Sequence, residues 1–148
     1  MSFRKTFKTD QVAEVEGVEL EVGVNEFNGL PMTIRISRMS KSNKRYTKRL
    51  EAVTRPHQSA IQNESLDNDL ANKMLQGVFV DTILLGWGNI PKYDLTGVDD
   101  DKHKLLDFNR ENALALFAEL PDLYDDWEDK AKKAASFREQ DKDATAGN

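Results

Sequence analysis

Few residues in this chain are of types and spacings that could do chemistry. The two histidines, His57 and His103, sit in polar, loop-like contexts, and neither has a second histidine at metal-ligand spacing. Both read as surface groups. Asp99-Asp100-Asp101 invites a calcium reading, but the alternating ligands and closing glutamate of a calcium loop are missing, so a solvated acidic loop is expected. Gly86-Trp87-Gly88 is too short for a phosphate loop and lacks its Lys-Ser/Thr ending; it reads as a helix stop. No serine lies in a nucleophile elbow. The carboxylates Asp122, Asp125, Asp126, Glu128 and Asp129 fall in the first half of a predicted helix, where the helix dipole favours them, rather than forming a catalytic pair. There is no cysteine, which excludes disulfides, thiolate metal sites and a cysteine nucleophile. The expectation is a binding protein, not an enzyme, with no cofactor and no metal.

Charge is the feature that points to partners. The chain is acidic overall, at −5, yet residues 35–56 hold eight basic groups against Glu51 alone. Lys41, Lys44, Arg45, Lys48 and Arg49 are the candidate cationic contacts. Only Tyr46 interleaves as an aromatic and no nucleic-acid reading motif is present, so a solvated helix face or a surface for an acidic protein outweighs nucleic acid. Residues 94–148 carry fifteen acidic against eight basic groups, so complementary surfaces are expected within the molecule or against partners.

The elements that must position these groups read as α+β, mainly α: an N-terminal β-hairpin followed by about four helices in one small domain. At 148 residues and 39% hydrophobic, the chain can bury a core without staples. Residues 1–16 read as a flexible lead or an edge strand, without the apolar run of a signal peptide. The globular domain spans 17–138, with the hairpin at 17–38 and the helical part at 40–138. Val18, Leu20, Val22 and Val24 alternate with polar or small residues, as do Met32, Ile34 and Ile36 across a turn-rich segment at 25–31. Two strands are marginal in water, so their apolar face must pack on helices or another subunit.

A helix is predicted over 41–53, with Tyr46, Leu50 and Val53 as its thin apolar face and Pro56 ending it. A polar loop follows over 55–64. The next helix opens at Leu66-Asp67-Asn68, is apolar over most of its circumference, and continues through Leu84, Leu85 and Trp87 to the glycine stop. Asp81 falls on its polar stripe with Lys73 and Gly77. A long connection covers 88–107. Asn109 caps a third helix, with Phe108 placed to staple on Ala113. Pro121 opens a fourth, whose stripe is Leu120, Leu123, Tyr124, Trp127, Ala131, Ala134 and Phe137. Leu123, Tyr124, Trp127 and Ala131 are candidates to grip a partner, and core packing is the competing reading of the same stripe. Residues 139–148 read as a disordered tail. No membrane span is expected.

The order of several short pieces resembles a known family. Leu85-Gly86-Trp87 after an apolar helix is followed by Phe108-Asn109-Arg110-Glu111-Asn112-Ala113-Leu114, then by Leu120-Pro121-Asp122-Leu123-Tyr124-Asp125-Asp126, and ends near Ala135-Ser136-Phe137-Arg138. With the basic piece from Lys48-Arg49-Leu50 to Pro56, this series is similar to the tail assembly chaperones of long-tailed, siphovirus-type bacteriophages. The resemblance covers about residues 40 to 138 and leaves out the hairpin. It implies a non-catalytic protein of the host cell cytoplasm that binds the tape measure protein and helps recruit tail tube protein subunits. A frameshifted longer form is common in that family. Two alternatives stand beside it: a structural virion protein of the tail or head–tail joint, and a nucleic-acid-binding regulator using residues 35–55. Self-association is compatible with the hairpin and the apolar surfaces.

Overall fold

The computed structural model describes residues 2–137. The expected hairpin is present, with β1 at Val18–Val24 and β2 at Pro31–Ile36, antiparallel and in the register Val18↔Ile36 and Leu20↔Ile34. Its turn is held by Asn25, a buried side chain whose Oδ1 accepts from the Phe27 amide at 3.0 Å. Asn25 Nδ2 donates to the Asn89 carbonyl at 3.1 Å, tying the turn to a distant loop.

Residues before the hairpin form neither an edge strand nor a bare lead. They make two short helices, α1 at Phe3–Phe7 and α2 at Gln11–Glu16. Asp10 caps α2 by accepting from the Val12 and Ala13 amides, and Ala13 reaches the core. Glu14 pairs with Arg38 and so anchors α2 beside the end of β2.

Three helices follow: α3 at Lys44–Thr54, α4 at Gln58–Gln62 and α5 at Asn68–Thr82. Asn43 caps α3 and Asp67 caps α5. Pro56 ends α3 as expected, but the segment after it is not a loop. Pro56 occupies the start of a 3₁₀ turn at Arg55–His57, a position that needs no proline N–H, and α4 follows directly.

The main departure from the sequence reading lies after Thr82. Leu84–Gly88 is not the end of a helix; it is a third strand, β3. It pairs antiparallel with β2, with Ile34↔Trp87 and Ile36↔Leu84, so the sheet order is β1-β2-β3. The physical reason is the second edge of β2. Ile34 and Ile36 are fully buried, and the backbone beside them must find partners. Gly86 and Gly88 are poor helix formers. At Gly88 a Cβ would sit 3.0 Å from Thr33 Oγ1, so the close approach of the two strands suits glycine. The break between α5 and β3 is also sealed. The Ser37 amide donates to the Ile83 carbonyl at 2.9 Å, and the Ser37 hydroxyl to the Thr82 carbonyl at 3.0 Å, satisfying acceptors a helix end leaves open. Asn43 Nδ2 joins this network through Ser37 Oγ and the Arg38 carbonyl.

The connection after β3 is compact. It contains α6 at Tyr93–Thr96 and a 3₁₀ turn at Asp99–Asp101, and it is closed by a Pro91↔Leu105 bridge that buries Ile90 and Leu106. Then come α7 at Arg110–Glu119, capped by Asn109, and α8 at Pro121–Lys132, with its proline in the first turn. The core lies between the sheet and α5, α7 and α8. Phe79 packs edge-on against Phe117 and Tyr124, and Trp127 against Phe117 and Trp87. Phe108 packs its ring on Trp87 at 5.0 Å. The fold class is the α+β, mainly helical one expected, with one more strand. The tail expected to be disordered at 139–148 lies outside the described residues. Among the described residues, no helix is long and apolar enough to cross a membrane.

Candidate partner-binding face

The stripe on α8 is core. Tyr124, Trp127 and Ala131 are all buried, and Leu123 is half-buried against the same cluster. Three of these four side chains therefore lack a surface to offer a partner. The reason is geometric: a stripe at three- and four-residue steps faces one direction, and in α8 that direction is toward α5, α7 and β3. Tyr124 keeps its hydroxyl satisfied by donating to Glu128 at 2.6 Å, and burial pushes its phenol pKa far up.

The basic helix yields a different result. Arg45, Lys48 and Arg49 lie at i, i+3 and i+4 on α3 and share one face. That face borders an open cleft of about 630 Å³, lined also by Ala52, Asp81, Thr82 and Arg110. Asp81 is the hub. Its Oδ1 accepts from Arg110 Nε at 2.8 Å, its Oδ2 from Arg49 at 3.3 Å, and its backbone carbonyl from Arg45 at 3.3 Å. The hydrogen bond from Arg110 to Asp81, with the attraction between their charges, holds that guanidinium still more firmly protonated. Among the described residues no acidic side chain pairs with Lys48. Lys41 and Lys44 are exposed but do not line the cleft. Arg110 is the member that sequence reading missed. It is distant in the chain, and its only local signal is being a cation directly after the N-cap of α7, where the helix dipole disfavours one.

On its other side α3 borders an apolar groove of about 230 Å³. Leu50 and Val53 from α3, Ile61 from α4, and Met74, Leu75 and Val78 from α5 form most of its wall. Ile61 and Leu75 remain 43% and 37% exposed. The breadth of apolar residues around α5 is what made it read as a core helix throughout. Only its C-terminal half, with Val78, Phe79 and Val80, is buried that way.

The acidic loop is a structural turn. Asp101 is buried, accepts from the Thr96 hydroxyl at 2.7 Å and pairs with Lys104. The hydrogen bond from Thr96 holds the Asp101 carboxyl below its ordinary value, with Lys104 adding to it. A depressed carboxyl pKa contributes stability above the unfolded value, near about pH 4, that is lost as pH falls through the folded value. The expected result is that Asp101→Asn lowers the thermal midpoint at about pH 7 and that the gap to the parent closes well below about pH 4. A gap that stays constant across an acid titration would remove this account. His103 packs edge-on to Phe27 at 6.3 Å beside Lys102, which lies over the Phe27 and Tyr93 rings. His57 sits half-buried in the 3₁₀ turn after α3. Among the described residues, no group of three or more His, Asp or Glu side chains is placed to hold a metal ion.

The family model for the YdaY prophage protein matches residues 41–148, a span that takes in the basic helix, the groove and the α7–α8 pair. No curated protein and no solved structure gives a significant match to the chain.

Proposed function

The chain belongs to the YdaY prophage protein family, and from that premise we propose that it is a non-catalytic tail assembly chaperone. In this reading it binds the tape measure protein in the host cytoplasm and helps bring tail tube subunits to it. The phage origin of the family supports the setting. The observation that carries the binding role is the apolar groove between α3, α4 and α5, with exposed Ile61 and Leu75 on its rim. A long helical chain with an exposed apolar seam needs an apolar groove to receive its anchors. The binding surface is therefore assigned to the α3–α5 face, in place of the buried stripe on α8.

Co-expression with the tape measure protein of the same phage tests the proposal. Soluble tape measure protein is expected to rise. Ile61→Glu combined with Leu75→Glu is expected to abolish the rise, because charges placed on the groove rim oppose burial of an apolar partner. Both side chains are already exposed, so the double variant is expected to unfold within a few degrees of the parent. No rise with both proteins folded would sink the reading. Stoichiometric copies of the chain in purified particles would turn it toward a structural virion role.

A further inference from the structure

We propose that the cleft between α3 and the α5–α7 pair is a carboxylate-recognition site for an acidic helical segment of a partner protein. This deepens the chaperone reading and rests on the α3–α5 face being the one that partners meet. The first argument is charge. Arg45, Lys48, Arg49 and Arg110 line the cleft with Asp81 as the one carboxylate among its lining residues, a net excess of three positive charges. The second is position. Arg45 lies in the first turn of α3 and Arg110 is the first residue of α7. Cations at both sites oppose the dipoles of their own helices, and both are turned onto the C-terminal end of α5 at Asp81. Their effect is to concentrate positive potential at the mouth of one cleft.

The third argument concerns the kind of anion. Guanidinium groups match carboxylates well, and Asp81 already accepts one hydrogen bond from Arg110 and one from Arg49 in this cleft. The spacing of Arg45, Lys48 and Arg49 suits acidic side chains three or four residues apart on a facing helix. Nucleic acid fits less well. No aromatic side chain lines the cleft to stack a base. The cleft and the apolar groove share α3 and α5, with Lys48 and Arg49 on one side of α3 and Leu50 and Val53 on the other. One amphipathic acidic helix can therefore be read by both surfaces.

The test uses the full chain and a fluorescent, alanine-rich helical peptide with glutamates four residues apart. The same peptide with glutamine replacing each glutamate and a random-sequence DNA duplex serve as the other probes. The glutamate peptide is expected to bind with an affinity that falls as salt rises, and roughly tenfold tighter than the glutamine peptide. Lys48→Glu is expected to weaken it by roughly tenfold with an unchanged thermal midpoint. Equal binding of both peptides, an effect of Lys48→Glu below about twofold, or tighter binding of the duplex would each overturn the proposal. If glutamate-peptide binding fails while tape measure solubility still rises, the cleft is wrong and the chaperone reading stands. The opposite pattern sinks the chaperone reading alone.

Discussion

Trp127→Ala is expected to lower the unfolding free energy by about 3–5 kcal/mol, the range for removing a large aromatic from a close-packed core. The side chain is 1% exposed and packs its ring against Phe117 at 5.7 Å and Trp87 at 6.3 Å. Deleting it opens a void between α7, α8 and β3, and these elements cannot all close on it without moving the sheet. For a domain of this size the thermal midpoint should fall by on the order of 10 °C. Leu123→Ala provides the comparison, since Leu123 lies on the same helix but is only half-buried. A loss for Trp127 no larger than for Leu123 would show that the α8 stripe is not the core the structure describes. The same pair of variants would then be tested for partner binding.

Gly17→Ala is expected to cost about 2–3 kcal/mol, a large effect for one methyl group. Gly17 ends α2 and feeds β1 with φ 91° and ψ 161°, a region that is essentially open only to glycine. The site is also closed in space. An added Cβ would lie 2.8 Å from Leu85 Cδ1, 3.0 Å from the Ile36 carbonyl oxygen and 3.2 Å from Arg35 Cγ. The Leu85 methyl can swing away, but the Ile36 carbonyl belongs to the central strand and cannot. Gly97→Asn is the control in which neither cause acts. Gly97 is left-handed, at φ 65° and ψ 13°, an added Cβ there would meet nothing within 4 Å, and asparagine tolerates that conformation. Urea denaturation of the two variants should show a clear loss for the first and little for the second. Comparable losses in both would mean that the backbone region and crowding at the start of β1 are not what make Gly17 necessary.

Local signals in the chain were sufficient for much of the architecture. The alternation within Val18–Val24 and Pro31–Ile36 identifies the hairpin because a half-buried strand shows its two faces in two-residue steps. Asp67, Asn109 and Pro121 mark helix starts because capping acts within one turn of chain. The charge segregation that singles out α3 is likewise visible in sequence order.

What required the folded chain involves groups far apart in sequence. Leu84–Gly88 reads as the end of an apolar helix until the second edge of β2 is seen to need a partner, since a short apolar run has no period that separates strand from helix. The amphipathic stripe of α8 was legible, but whether it met a partner or the core depended on α5 and α7 lying over it. The basic segment was legible as a charge excess, but its convergence with Arg110 on Asp81 joins three helices. Local rules set where each element starts and which of its faces is apolar or charged. Tertiary packing set which faces were buried, and so moved the candidate binding surface from α8 to the face of α3 and α5.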